Sequence, residues 1–318
     1  MQKQEIIAPV DRELLAAELN EKAFIRPTNN GNNELYIINC HTSPNVLREI
    51  GRLRELSFRM AGGGTGKDCD LDEYDYGPSA YQQLIVWEPR DKEIIGGYRY
   101  IHTANARDSK GDYHLATSEI YSFSERMKNH YFMKTIELGR SFVQPKYQPS
   151  SENRKGLFSL DNLWDGLGAL IINHPEIEYF YGKVTMYRHF QKEARDLIIA
   201  FMHHYFPDKE DLIIVENQVF PEYDTSAFVA SLQGLEYKEG HHLLNARVRE
   251  LGENIPPLFN AYMNTSPTMK TFPTCINPHF GDVEETGILV TIKDIYETKK
   301  DRHVSSYLRY LESKNVTG

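Results

Sequence analysis

The chain has 318 residues, 40% hydrophobic and 25% charged, with 36 Lys+Arg against 45 Asp+Glu and a formal net charge of −9. Those fractions describe a soluble globular protein with ample room for a core, and exclude the disordered and fibrous classes. An acidic chain lacks the basic face that general nucleic-acid binding needs, so no nucleic acid is expected as a partner. No run approaches the roughly 20 apolar residues of a membrane span. The N-terminus, Met1-Gln2-Lys3-Gln4-Glu5, lacks the apolar stretch of a signal peptide. Cys40, Cys69 and Cys275 are odd in number and widely spaced, which excludes a disulfide framework and a CxxC zinc site. A reducing cytoplasm is the expected location.

In chain order, residues 1–33 read as an appendage, with a helix pattern over Asp11 to Leu19 and a turn-rich linker, Pro27-Thr28-Asn29-Asn30-Gly31-Asn32-Asn33. A strand is predicted at Leu35 to Ile38. A helix follows from near Ser43 or Asn45, with Val46, Ile50, Leu53 and Leu56 at helical spacing, and Ala61-Gly62-Gly63-Gly64-Thr65-Gly66 supplies its stop. Two strands, Gln83 to Trp87 and Glu93 to His102, flank a turn at Pro89-Arg90-Asp91. A third strand spans Thr135 to Val143. Then come a helix over Leu157 to Ile172, a strand over Tyr179 to Met186 and a helix over His189 to Tyr205. Beyond residue 206 the pattern loosens to a strand at Leu212 to Val215, a helix at Leu258 to Met263, a strand at Ile288 to Ile292 and a charged helix at Asp294 to Glu312. This order predicts an α+β fold on a mixed sheet. It divides the chain into the appendage 1–33, a core 34–206 and an extension 207–318 packed on that core.

Several patterns are decoys. Gly62-Gly63-Gly64-Thr65-Gly66-Lys67 lacks the phosphate-loop spacing, because Ala61 holds the first glycine position, Asp68 follows the lysine and a helix precedes the loop. His203-His204 and His241-His242 are neighbours that do not face one another on a helix. The loop His279 to Glu284 offers oxygen and nitrogen donors but reads as solvated polar chain. No metal is expected, and no Gly-x-Ser-x-Gly elbow occurs.

Three clusters carry chemistry. Asp70-Leu71-Asp72-Glu73-Tyr74-Asp75 is either a solvated acidic loop or a set of acids that receives an amine or locks Arg59, Arg99 or Arg140. In the strand Thr135 to Val143, alternation places Glu137, Gly139 and Ser141 on one face and Leu138, Arg140 and Phe142 on the other. Charges in such a strand are expensive unless paired, so a structural ion pair competes with a functional site. The basic turn Arg154-Lys155-Gly156 opens a helix whose N–H groups and dipole suit an anion.

Taken in order, these residues resemble the GNAT acyltransferase superfamily, and within it the ornithine lipid N-acyltransferases whose bacterial relatives carry a legacy "hemolysin" label. The matching stretches are Leu56-Ser57-Phe58-Arg59, Asp72-Glu73-Tyr74-Asp75, Gly96-Gly97-Tyr98-Arg99, Glu137 to Tyr147, Leu163-Trp164-Asp165-Gly166-Leu167, Tyr179-Phe180-Tyr181-Gly182 and Ile255 to Tyr262, spread over residues 45–295. The acidic cluster and the Glu-x-x-Arg strand are also similar to the acyl-homoserine lactone synthases. The overall character resembles the Bacteroidetes enzymes that N-acylate glycine.

The resemblance implies a GNAT-like mixed central sheet flanked by helices, with an extended C-terminal region. It implies transfer of a long-chain 3-hydroxyacyl group from acyl carrier protein to the α-amine of glycine or ornithine, the first step of aminolipid synthesis. Glu137 would be the base. Backbone N–H groups near Phe142 and Val143 would serve the thioester oxygen. Arg140, with Asp72 and Asp75, would shape the amino-acid pocket, Arg99 would hold the carboxylate, and Arg59 joins the substrate-binding set. Tyr181 or Tyr187 would protonate the leaving thiolate. Arg154, Lys155 and Gly156 would meet the phosphopantetheine; they do not fit the turn that cradles a CoA pyrophosphate, which favours the carrier protein as donor. No permanently bound cofactor is expected. The partners are acyl carrier protein and an amino acid, with room for peripheral contact with the inner membrane. The rival reading is a non-catalytic lipid- or membrane-associated protein, for which the membrane-active amphipathic helices are not evident.

Overall fold

The computed structural model describes residues 3–148 and 158–317. Its elements in chain order are α1 (Arg12–Glu18), β1 (Phe24–Pro27), β2 (Glu34–Ile38), α2 (Pro44–Met60), β3 (Gln82–Glu88), β4 (Glu93–His102), β5 (Ser122–Phe123) and β6 (Thr135–Val143). They continue as α3 (Ser159–Asn173), β7 (Tyr179–Met186), α4 (Lys192–Tyr205), β8 (Ile213–Ile214), α5 (Ser226–Leu232), α6 (Tyr237–Glu250), α7 (Pro257–Met263), β9 (Lys270–Asn277) and β10 (Val283–Thr291). The C-terminal helix begins as α8 (Glu297–Lys299), passes through a π-helical stretch at Lys300–Ser305 and ends as α9 (Ser306–Thr317).

Eight strands form one sheet in the order β1-β2-β3-β4-β6-β7-β10-β9, and β5 pairs with β8 separately. All neighbours in the large sheet are antiparallel except β6 and β7. The expected α+β mixed sheet is therefore borne out. One face is covered by α3, α4 and α6 through Leu163, Leu167, Ile198, Phe201 and Leu244. The other face carries two separate apolar clusters. Leu47, Ile50 and Phe58 of α2 pack on Ile85 and Trp87 in one, and Ile101, Tyr121, Phe132 and Tyr181 build the second.

The appendage reading of residues 1–33 is corrected. β1 is a strand of the sheet, and Glu18 caps α2 by accepting the N–H groups of Asn45 at 3.1 Å and Val46 at 2.9 Å. The expected boundary at 207 does not divide the fold either, because β10 runs beside β7 from Glu284↔Met186 to Thr291↔Tyr179. β10 is longer than the expected Ile288 to Ile292, and β1, β9, α5 and α6 were not anticipated. Pro27 and Pro273 argue against strands in the sequence, yet proline is tolerated where a strand lies at a sheet edge, and β1 and β9 are the two edges.

Candidate active site

β6 and β7 pair over only four rungs, Thr135↔Tyr179 to Leu138↔Gly182. Beyond them β7 stays paired to β10 while β6 follows β4, so the two strands part. The opening is a cleft of about 60 Å³, walled by Leu138, Gly139 and Ser141 of β6, by Gly182 and Lys183 of β7 and by Tyr262 of α7.

A bulge in β6 sets which side chains face it. Gly97 pairs with Phe142 but Arg99 pairs with Gly139, so Tyr98 opposes both Arg140 and Ser141. Arg140 takes φ of +48°, the left-handed conformation that a bulge of this kind requires. The alternation expected from the sequence is thereby broken. Arg140 turns to the Glu137 face, where it meets Asp70 at 2.9 Å and lies 4.5 Å over the Phe280 ring. Phe142 also joins that face, among Ile85, Trp87 and Ile94, while Leu138 packs on the opposite side. Gln144 N–H donates to Ile95 O at 2.9 Å, so strand alternation gives Phe142 N–H to β4 and leaves Val143 N–H facing the opening. The expectation that Phe142 offers a free N–H is corrected; Val143 remains placed to do so.

Glu137 lies one rung before the strands part, in register with Tyr181, and is 1% exposed. It accepts a hydrogen bond from the Tyr81 hydroxyl at Oε2, and Thr117 N–H donates to Oε1 at 3.1 Å. Burial raises its pKa above the ordinary glutamate value, while the bonds from Tyr81 and Thr117 and the charge of Arg99 act against that rise. The result is a desolvated carboxylate, held by two donors, on the wall of a cavity shared with Arg99, Arg140 and Lys183.

The acidic cluster is an ion-pair lattice rather than a solvated loop. A single short turn, Glu73–Asp75, is capped by Asp72, and the eclipsed i, i+3 geometry of that turn aims Asp72 and Asp75 the same way. Asp75 receives Arg54 at 3.1 Å, Arg99 at 3.2 Å and the Gln83 amide at 2.9 Å. Asp72 receives Arg99 at 2.6 Å and lies 3.6 Å from Arg140. Burial pushes the Asp72 carboxyl up, but Arg99, Arg140 and Arg54 outweigh it and hold it at about 2. Arg99 uses one terminal nitrogen for these acids. Its Nε is buried without a partner among the described residues, on the wall of the Glu137 cavity.

Other expected residues fall elsewhere. Arg59 pairs with Glu55 at 2.7 Å and donates to the carbonyls of Gln4 and Lys67 at 2.7 Å each. It ties down the glycine loop and borders neither the cleft nor the Glu137 cavity. Tyr181 lines the cleft, but burial and the charge of Glu137 hold its phenol pKa well above 10.0. Tyr187 stacks on His189 at 6.1 Å and does not line the cleft. Arg154, Lys155 and Gly156 lie outside the described residues.

Several residues were missed. Arg54 replaces Arg59 as the helix arginine of the lattice, and its signal was present: it continues the buried stripe Leu47, Ile50, Phe58 at helical spacing. Tyr81, Thr117, Lys183, Asn277, His279 and Phe280 also wall the Glu137 cavity. Asn277 ends β9, and His279 and Phe280 lie in the turn after it; the loop read from sequence as solvated polar chain instead turns His279 and Phe280 onto the cavity.

Residues 53–154 match the family of acetyltransferase (GNAT) domains. The chain is 49% identical over 316 residues to the glycine N(alpha)-acyltransferase of Phocaeicola vulgatus, covering 99% of this chain and 97% of that protein. It is 49% identical over 306 residues to the glycine N(alpha)-acyltransferase of Bacteroides thetaiotaomicron, covering 96% and 91%. The crystal structure of the AHL synthase LasI aligns with 49% of this chain and 74% of its own at 15% identity and a TM-score of 0.30, a likeness too slight to bear on the fold or chemistry.

A GNAT domain whose two central strands part beside a buried carboxylate is an acyltransferase of the N-acylating class. With 49% identity over almost its entire length, this chain belongs to the family of GNAT glycine N-acyltransferases.

Proposed function

We propose that the protein transfers a long-chain 3-hydroxyacyl group from the phosphopantetheine thioester of acyl carrier protein to the α-amine of glycine, the first step in making an aminolipid. The observation that carries this reading is the position of Glu137, buried beside the point where β6 and β7 separate. An extended acyl-pantetheine would lie between the parted strands with its thioester carbonyl at Val143 N–H, a donor aimed where negative charge develops. Glycine would enter from the Glu137 side. Glu137 would take a proton from the ammonium, its pKa raised by burial above the ordinary glutamate value. The acceptor carboxylate would meet Arg99 Nε–H and Arg140. The acids Asp70, Asp72 and Asp75 hold these cations in place, so that little reorganisation is needed when the substrate arrives.

A carrier protein is acidic, and residues 134–195 hold nine Lys/Arg against seven Asp/Glu within a chain of net −9. This local reversal supports a carrier-protein donor. In the structure Arg188 pairs with Asp282 at 3.2 Å, and Lys192 with Glu284 at 2.5 Å and Glu222 at 3.8 Å, so docking would exchange acids already present for those of the carrier. Among the described residues no helix is long and apolar enough to cross a membrane. A cytoplasmic enzyme releasing its lipid product to the inner membrane is part of the proposal.

The test is incubation of purified protein with 3-hydroxyacyl carrier protein, or with the matching acyl-CoA, and a panel of glycine, ornithine, serine and homoserine, read by mass spectrometry. N-acylglycine from the carrier thioester at a rate well above the CoA reaction is the expected result. A preference for acyl-CoA overturns the donor, a preference for another amine overturns the acceptor, and no product from any combination overturns the reading.

A further inference from the structure

Lys183 is the first residue of β7 beyond the last rung shared with β6. Its side chain points to the same face as Tyr181 and Glu137, and it borders both the cleft between the strands and the Glu137 cavity. Both strands beside it offer glycine. Gly287 is its partner on β10, and Gly139 follows the last rung on β6. The space a side chain would take at Gly287 is filled by Phe272 and Tyr121, and at Gly139 it adjoins Arg99, while the Lys183 side chain itself keeps 13% exposure. Glu285 of β10, 1% exposed, is ion-paired to it.

As a structural device this pair is hard to justify. The strand also buries Phe180, Tyr181, Val184 and Met186. An apolar residue in place of a buried ion pair is often neutral or stabilising. The site instead needs a proton donor at this place. An alkyl thiolate departs more readily when it is protonated as the C–S bond breaks, and the group that protonates it must stand beside the sulfur, where the strands part.

We propose that Lys183 is the general acid of the reaction, giving its Nζ proton to the departing sulfur, with Glu285 as its positioning residue. The step balances. The C–N bond forms as the C–S bond breaks, and the electron pair leaves with sulfur, which takes the Lys183 proton to become the pantetheine thiol. The acceptor enters as an ammonium and loses two protons through Glu137 and solvent, one of which restores Lys183. The groups around the lysine fit this task. Burial lowers its pKa to about 7, Arg140 of β6 and Arg99 of β4 add to that, and Cys275 of β9, Glu137 of β6 and the paired Glu285 oppose it. An acid near 7 delivers a proton downhill to an alkyl thiolate, whose thiol has a pKa of about 8.5. Tyr181, with its phenol held well above 10.0, would deliver it uphill. In this proposal Lys183 takes the role expected from the sequence for Tyr181 or Tyr187.

The inference rests on the thioester reading above. Its test compares wild type with Lys183→Met, and with Lys183→Met/Glu285→Gln in case the lone carboxylate impairs folding. The donors are the S-acyl pantetheine thioester and an S-acyl thionitrobenzoate, whose aryl thiolate departs without a proton. The variants should lose a hundredfold or more on the pantetheine donor, the usual magnitude for acid catalysis, and less than about fivefold on the aryl donor. In parallel, the alkaline limb of the wild-type kcat profile on the pantetheine donor should be absent in the variants, which decides the matter on that donor alone. Equal losses on both donors, a loss under about fivefold on the pantetheine donor, or an alkaline limb that survives in the variants each overturns the assignment of Lys183 and leaves the acyltransfer reading standing. A wild-type protein that acylates no amine from any thioester overturns both.

Discussion

The Tyr81 hydroxyl faces two ways at once: it donates to Glu137 and accepts the Ala116 N–H at 2.9 Å. The donated bond favours the ionised form of Glu137 and so restrains the rise in pKa that burial imposes. Tyr81→Phe removes that restraint. The acid limb of the kcat/KM profile should move to higher pH, with a several-fold loss of rate at neutral pH. The orphaned Ala116 N–H should cost about 1–3 kcal/mol in urea unfolding. An acid limb that stays in place would show that Tyr81 does not act on the base.

Glu137→Gln should lower acyl transfer a hundredfold or more with the fold retained. Its stability should carry a second signature. A carboxyl whose folded pKa is raised contributes stability that is fully present below its unfolded pKa and is lost as pH rises through the folded one. Glutamine has no such dependence. Relative to wild type, the variant should therefore gain stability as pH rises above about 4.3, measured as the difference in urea midpoints. A difference that is flat with pH would mean that Glu137 titrates normally.

Asp75 and Asp72 should differ in what they support. Asp75→Asn strands the fully buried Arg54 and should destabilise by about 3–5 kcal/mol, the usual cost of breaking a buried pair. Asp72 is 22% exposed, and Arg99 keeps Asp75 when it is replaced, so Asp72→Asn should cost about 1–3 kcal/mol and weaken acceptor use. The advantage of Asp72 over Asn is present above 3.8 and should fade as pH falls toward about 2. A larger loss of stability from Asp72→Asn than from Asp75→Asn would contradict this ordering.

Gly139 leaves Arg99 uncovered. A Cβ there would lie 3.7 Å from Arg99 Nε, an ordinary contact that the fold can accept. Gly139→Ala should keep wild-type stability yet shield the Nε–H from the cavity. The KM for glycine should rise roughly tenfold while the KM for the acyl donor stays within about twofold, since one charge-assisted hydrogen bond is worth about 1.5–3 kcal/mol. An unchanged glycine KM would remove Arg99 Nε from the acceptor site.

Much of the architecture follows from local pattern. The strands Thr135 to Val143 and Tyr179 to Met186 have the bounds expected of them, because their apolar residues and flanking turns are contiguous. The helix before the glycine loop is legible for the same reason. Glu137, Arg99 and Asp72 stood out because charge in or beside a buried strand demands a partner.

What the amino-acid pattern alone determined is the α+β order, the placement of an acid and arginines on neighbouring strands, and the likeness to N-acyltransferases. The tertiary structure decided which charges meet. The left-handed turn at Arg140 is a backbone choice set by pairing with β4, and it brings both Arg140 and Phe142 to the Glu137 face of the sheet. Arg54, rather than Arg59, reaches the acids because helix rotation against the sheet, not order in the chain, sets its direction. Lys183 and Glu285 are 102 residues apart and become a pair only when β10 is laid beside β7. Contacts between distant strands depend on register and packing, and no local run of residues encodes them.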